Sequence, residues 1–289
     1  MVKVSICIPT YNQVEFLSKN IDSIINQTFQ NFEVIVSDDS TNDNVAKLVK
    51  DKFEGKTIPY RYHKNEQALG SPANWNKAIS MAQGEYIKIM HHDDWFSHEN
   101  SLSELVQMMD ENPNADLGFC ASKVFNVQTQ SESTHEVSSL FIEALKKDPL
   151  LLFNNNQIGA PSAVIYRNKA GLMFDQRLSY LVDVDFYLRV LEQNASFVYT
   201  AKPLVVNTSN NPDQVTAKSI NKITQIGEYC YLYHKHLFGI FPTKKWRVFY
   251  RDLFAWYGLK KFTEIEQHGY PVPEPKWMFQ FLLWQSKLK

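Results

Sequence analysis

The chain is poor in cysteine, and its three cysteines form no pattern. Cys7, Cys120 and Cys230 are odd in number and far apart, which excludes a disulfide framework or a zinc ribbon and predicts a cytoplasmic protein. Runs of 18 apolar residues are missing, so no membrane-spanning helix is expected. VSICIP, near the N-terminus, is too brief for the apolar region of a signal peptide. There is no internal repeat and no low-complexity tract. GxGxxG does not follow the first apolar run, and GxxxxGK[ST] occurs nowhere, which sets aside dinucleotide and P-loop chemistry. HExxH is likewise absent. Neither sign of charge is in excess: the net charge is −1, so no overall field attracts nucleic acid and no nucleic-acid partner is expected.

The chain does have the length and apolar content for a real core. Its 289 residues, 44% hydrophobic and 21% charged, suit a soluble globular protein of one large or two smaller domains. The charge is unevenly spread. Residues 217–289 hold 12 Lys/Arg against 5 Asp/Glu, a net of +7, so the rest of the chain carries −8. The same tail holds 17 of the 39 aromatic residues. This shift marks residues 216–289 as a basic, aromatic helical extension.

Apolar runs alternate with one-faced helical patterns through the first hundred residues. Strands are predicted at Val4–Ile8, Phe32–Val36, Ile58–Tyr62 and Tyr86–Met90. Between them, Leu17, Ile21 and Ile24, then Val45, Leu48 and Val49, then Trp75, Ala78, Ile79 and Ala82 recur at helical spacing. The third of these helices has Ser71 as its expected N-cap and Pro72 at its first position. Leu102, Leu105, Val106 and Met109 mark a fourth. The pattern predicts an α/β fold with a mostly parallel central sheet flanked by helices. After residue 112 it changes to a long strand over Leu117–Val127, a polar loop over Ser131–Val137, a strand at Ala163–Arg167, a helical face at Phe186, Tyr187, Val190 and Leu191, and a last strand at Phe197–Val206. Residues 113–215 thus read as a mixed half that extends the same sheet.

In such sheets ligands bind beyond the carboxyl ends of the strands. Three polar clusters fall on that edge: Pro9-Thr10-Tyr11-Asn12, Asp38-Asp39 and His91-His92-Asp93-Asp94. Adjacent carboxylates at a strand end can hold a hard divalent cation and leave positions open for phosphate oxygens. A nucleotide diphosphate is a ligand of that sort. The plainer alternative is that Asp93 and Asp94 cap the next helix or face water. His91 and His92, if on a strand, point to opposite faces, and one of them becomes a site wall or a phosphate contact.

The stretch VSICIPTYNQVEFLSKNIDSIINQTFQNFEVIVSDDSTND resembles the opening of family 2 glycosyltransferases, which have the GT-A fold. GEYIKIMHHDDWF and LVDVDFYLRV then stand where that family places its metal motif and its catalytic-base motif. The resemblance spans residues 2–210 and stops short of the basic tail. It implies a GT-A domain over residues 1–215, with a nucleotide-binding half at 1–112 and an acceptor half at 113–215. It also implies roles. Pro9, Thr10, Tyr11 and Asn12 line the nucleotide pocket. Asp38 or Asp39 binds uracil or ribose, Asn74 lies near the donor sugar, and His92 and Asp93 face the nucleotide. Asp93 and Asp94 hold Mn²⁺ or Mg²⁺. Asp183 matches the general base, with Val182 where the family has glutamate, and His91 stands where many members have an aspartate. Gly159 and Pro161 in IGAPSAVIY, together with Asp185, fall on the acceptor side. VVNTSNNPDQVT lacks the histidine that the family often carries after its last core strand.

The activity so implied is that of an inverting hexosyl- or N-acetylhexosaminyltransferase. It would move a sugar from a UDP-sugar to a hydroxyl of a glycan or lipid-linked glycan, as in polysaccharide or cell-envelope synthesis. The cation offsets charge on the departing diphosphate, and the base takes the acceptor proton. Two local alternatives stand beside these roles: Asp183 could be a helix N-cap, and Asp185 could simply pair with Arg189 one turn on. Two rival functions stand as well. A sugar nucleotidyltransferase would need a Gly-rich basic loop where PTYNQVEF stands. A non-catalytic sugar-nucleotide or glycan-binding module would bind without turnover. In the tail, Trp246, Phe249, Leu253 and Tyr257 recur with helical period among Lys244, Lys245, Arg247 and Arg251. That suits packing on the domain or on a sister subunit, or a helix lying on the inner face of an anionic membrane.

Overall fold

The computed structural model describes residues 1–211 and 221–288. Strands β1 (Val4–Thr10), β2 (Phe32–Asp38), β3 (Tyr60–Lys64) and β4 (Tyr86–Ile89) form a parallel array in the order β3-β2-β1-β4. Helices α1 (Glu15–Ile25), α2 (Asn44–Phe53) and α3 (Ala73–Ser80) connect them. Successive side chains on a strand face opposite ways. Val4, Ile6 and Ile8 therefore enter one core layer with Val34 and Val36, whereas Cys7 and Ile35 enter the other. A strand that is apolar on both faces is stable only when both are covered.

The second half adds β5 (Trp95–Phe96), α4 (Ser101–Asp110), β6 (Leu117–Asn126), β7 (Ser131–His135), α5 (Ser139–Lys147), β8 (Val164–Arg167), α6 (Val182–Gln193) and β9 (Phe197–Ser209). The sheet continues past β4 as β8-β6-β9-β5, with β7 paired to β6. Here directions mix: β8 runs antiparallel to β4 and β6, and β9 runs parallel to β6 but antiparallel to β5.

Three local expectations are corrected. The third strand begins at Tyr60 rather than Ile58, because Pro59 has no N–H to give the ladder, although its carbonyl accepts from Val34 N at 2.9 Å. Ser131–His135 is a strand rather than a loop, pairing Asn126 with Ser131 and Ser122 with His135. Its side chains are mostly exposed, so no apolar alternation announces it. Helix α3 starts at Ala73, and Ser71 does not cap it.

The tail contains α7 (Lys222–Leu237), α8 (Lys244–Tyr257), α9 (Thr263–Glu266) and α10 (Lys276–Ser286). Cys230, Trp246, Tyr250 and Phe279 join the same core as Phe153 and Tyr187, and Trp246 meets Phe153 edge-on at 5.1 Å. Residues 212–216 of VVNTSNNPDQVT, and the start of the expected extension, lie outside the described residues. Among the described residues no helix is long and apolar enough to cross a membrane.

Candidate active site

Strands β1 and β4 lie side by side; β4 ends at Ile89, opposite Cys7, and β1 runs on to Thr10. Beyond Ile89 the chain turns, with Asp94 N donating to His91 O at 3.0 Å. Because β4 has already ended, strand alternation no longer applies. His91, His92, Asp93 and Asp94 therefore line the same cavity. The cavity measures about 220 Å³ and is also lined by Pro9, Trp75, Pro161, Tyr180 and Asp183.

The end of β9 holds the two carboxylates. Asn207 Nδ2 and Thr208 N donate to Asp94 at 2.9 and 3.0 Å, and the Thr208 hydroxyl and Asn211 Nδ2 donate to Asp93 Oδ2 at 2.7 and 3.2 Å. Burial, then the charge of Asp93, raises the Asp94 carboxyl above its ordinary value. Asp93 stays below the usual carboxylate range in spite of its burial, because His92 and the Thr208 hydroxyl favour its charged form. Enclosure in the cavity wall pushes the His91 imidazole down to about 4, and its ring lies 4.6 Å from Trp75. The Nε2 atoms of His91 and His92 are buried and have no hydrogen-bond partner. Such atoms are open to a water, an ion or a ligand.

Lys88, wholly buried under this wall, donates to the carbonyls of Ser162 and Val164. Burial pushes its ammonium down to about 8. The Ser162 hydroxyl in turn accepts from His91 N at 3.0 Å. The segment that carries Pro161 is thereby tied to the carboxylate turn.

Asp183 is the second residue of α6, so it is not the N-cap. The turn before the helix is held from the tail. The buried carboxylate of Glu228, on α7, accepts from Ser179 N, Ser179 Oγ, Tyr180 N and Leu181 N at 2.7 to 2.9 Å. Asp183 is left to face the cavity. Its Oδ1 accepts from Val184 N at 2.8 Å and its Oδ2 from Asn156 Nδ2 at 2.7 Å. Burial nevertheless raises its carboxyl to about 6. Gly159 does not line the cavity, but at φ +90° it donates its N–H to Asn156 Oδ1 at 3.3 Å, steadying the residue that holds Asp183.

Asp185, expected on the acceptor side, is a correction. Two residues along a helix is a rotation of about 200°, so Asp185 faces away from Asp183 and from the cavity. It is fully buried against Lys235 at 2.6 Å, Arg189 at 2.8 Å and His236 at 3.0 Å.

The other expected nucleotide residues gather beside the cavity without lining it, apart from Pro9. Asp38 accepts from Ser40 N at 2.8 Å and Tyr62 OH at 2.7 Å. Asp39 accepts from Asn65 Nδ2 at 2.7 Å and Gly70 N at 2.9 Å. Asn74 donates to Ser37 O and Thr10 O. Thr10 Oγ1 is buried without a partner, and Tyr11 is half exposed. Asn12, in the left-handed region at φ 53°, accepts from Thr41 N at 3.1 Å. Residues that sequence reasoning missed are Lys88, Asn156, Asn207, Thr208 and Glu228. Only Asn207 and Thr208 had a signal, their place at the end of the last core strand.

A family model described as Glycosyl transferase family 2 matches residues 5–171. Abequosyltransferase RfbV of Salmonella typhimurium is 27% identical over 217 residues, which cover 72% of this chain and 62% of RfbV. Among its curated relatives, the chain spans 15% of the length of one and 66% of another. S. aureus TarS 1–349, solved with UDP-GlcNAc, superposes with a TM-score of 0.64 at 18% identity over 92% of this chain and 74% of that one. The mannosyltransferase PcManGT from Pyrobaculum calidifontis, solved with GDP-Man and Mn²⁺, superposes with a TM-score of 0.59 at 14% identity over 99% and 86%. These likenesses show the GT-A fold. With more than half of its residues matched by the family model, the chain belongs to glycosyl transferase family 2.

Proposed function

We propose that the chain is an inverting glycosyltransferase that moves a sugar from a nucleotide-diphosphate donor, of the UDP-sugar type, to a hydroxyl of a glycan or lipid-linked glycan. One observation carries this reading: the Asp93–Asp94 turn and Asp183 line a single cavity. A donor bound in that cavity would have its diphosphate towards the Asp93–Asp94 turn and the acceptor hydroxyl towards Asp183.

The residues fit a divalent cation. The carboxylates of Asp93 and Asp94, which line the cavity, offer the oxygen donors that Mn²⁺ or Mg²⁺ accepts. Among the described residues no group of three His, Cys, Asp or Glu could hold a metal by itself, so the fit requires phosphate oxygens from the donor. A cation there would neutralise charge on the departing diphosphate. The protein's own part is positional and acid–base. Asp94, held by Asn207 and Thr208, fixes the turn that carries Asp93. Asp183 takes the proton of the acceptor hydroxyl as its oxygen bonds to the anomeric carbon and the bond to the diphosphate breaks. That single displacement inverts the centre. A carboxyl raised to about 6 is a stronger base than an ordinary aspartate and is still ionised at neutral pH.

Titration calorimetry with UDP and Mn²⁺, followed by mass spectrometry of a sugar-nucleotide panel, tests the proposal. Nucleoside diphosphate released together with a transferred sugar supports it. Binding without turnover would make the chain a binding module, and release of pyrophosphate would make it a nucleotidyltransferase.

A further inference from the structure

The tail uses only part of its aromatic surface for packing. On α10, Met278, Phe279, Leu282 and Leu283 are buried, while Trp277, Phe281 and Trp284 are 64, 50 and 55% exposed. These three stand at i, i+4 and i+7 and so share one face. Trp277 and Phe281 also line a groove of about 310 Å³ between α8 and α10, together with Phe241 and Val248. Isolated exposed aromatics are ordinary, but a continuous stripe beside an apolar groove marks a contact surface.

The charges around the stripe say what covers it. Lys244, Arg247 and Arg251 line the groove on the α8 side. On the other flank Trp284 lines a second hollow with Lys260, Lys261, Lys276 and Lys287 against one carboxylate, Glu266. Residues 276–288 contain no acidic residue. Arg251 is paired with Asp252 at 2.8 Å, but among the described residues no carboxylate pairs with Lys244, Arg247, Lys260, Lys276 or Lys287. A second copy in two-fold contact would set this basic face against itself. An anionic surface complements it. Tryptophan and phenylalanine bury their rings at the headgroup boundary, and flanking lysines reach back to the headgroups along their own apolar stems.

We infer that the α8–α10 face is a peripheral docking surface for an anionic lipid bilayer, with Trp277, Phe281 and Trp284 inserted and the two basic rows on acidic headgroups. The inference is independent of the catalytic proposal, since its test reads binding alone.

The test is co-sedimentation of the full chain with phosphatidylcholine vesicles, with and without phosphatidylglycerol. Binding is expected on the phosphatidylglycerol vesicles only, with a blue shift of tryptophan emission and release by high salt. Trp277→Ser/Phe281→Ser/Trp284→Ser should abolish it. Arg247→Glu/Lys276→Glu should weaken it about tenfold or more, on the scale of two lost cation–headgroup contacts. Both variants change exposed residues, and an unchanged melting midpoint confirms their fold. Failure of the wild-type chain to bind phosphatidylglycerol vesicles overturns the inference, as does equal binding by a folded triple variant. A dimer in light scattering that the triple variant dissolves would assign the face to a second copy instead.

Discussion

Asn156 Nδ2 donates to Asp183 Oδ2 at 2.7 Å across 27 residues of sequence. This bond favours the ionised carboxylate, while burial, the larger effect, holds the carboxyl up at about 6. The pair therefore gives a pH prediction with a definite sign. If Asp183 is the base, it must be ionised, so kcat/KM should fall about tenfold per pH unit below 6 and level off above it. Asn156→Ala removes the favourable bond, raises the carboxyl further and should move that limb to higher pH. A limb near 4, or no movement in the variant, would count against the assignment.

Asp183→Asn should keep UDP affinity and lose transfer by about 10²–10⁴-fold, the usual worth of a positioned base. Single-turnover kinetics alongside UDP titration separates the two. Since Glu228 already holds the turn before α6, asparagine at 183 carries no capping duty whose loss could be mistaken for lost catalysis.

Asp185→Asn should act on stability rather than on chemistry. Removing one partner from a buried ion cluster costs about 3–5 kcal/mol, far more than the exposed i,i+4 pair expected from the sequence. The cluster also has a pH signature. Asp185 sits below its ordinary value, despite burial, through His236 and Lys235, so its contribution is present above the unfolded carboxylate value of about 3.9 and fades as pH falls through its folded value. His236 sits above its ordinary value, against its burial, through hydrogen bonds to Asp185 and Glu192. Its contribution is present below about 6.5 and fades as pH rises through its folded value. Denaturant midpoints across pH should show both slopes in wild type and their loss in the variant.

Glu228→Gln should leave UDP binding within about twofold and lower kcat/KM for the acceptor by about tenfold to a hundredfold, the effect of misplacing a reacting group. Glutamine keeps one acceptor oxygen and turns an amide towards the N–H groups of residues 179–181, so the turn under Tyr180 and Asp183 must shift. Unchanged acceptor kinetics in a folded Glu228→Gln protein would reduce Glu228 to a structural bond.

Asp93→Ala, or EDTA, should lower turnover by several kcal/mol of transition-state stabilisation. Asp39→Ala should instead raise the donor KM with kcat little changed, because Asp39 holds Asn65 and Gly70 beside the cavity rather than in it. Full activity in EDTA would remove the metal from the mechanism.

Much of this protein was legible before any coordinates. Apolar runs between one-faced helices specify a covered parallel sheet, because backbone geometry fixes both periods and burial fixes which residues can occupy them. The polar clusters after β1, β2 and β4 follow from the same periods, since a strand that ends leaves its next residues at the sheet edge. The sequence also marked Asp183 and the Asp93–Asp94 pair through their place in ordered motifs. It could not show that His91 and His92 share a wall, because that depends on β4 ending at Ile89. Nor could it show that Asp185 is buried in an ion cluster with Lys235 and His236, because that depends on which face of α6 meets α7. The partners of the site, Asn156, Thr208 and Glu228, come from a loop, a strand end and the tail. No periodicity links such positions. Local sequence determines which segments are helix or strand and where each must end, because those rules act over a few residues. The folded chain alone decides which polar groups meet, because a hydrogen bond between residues 27 or 49 apart depends on how the layers pack.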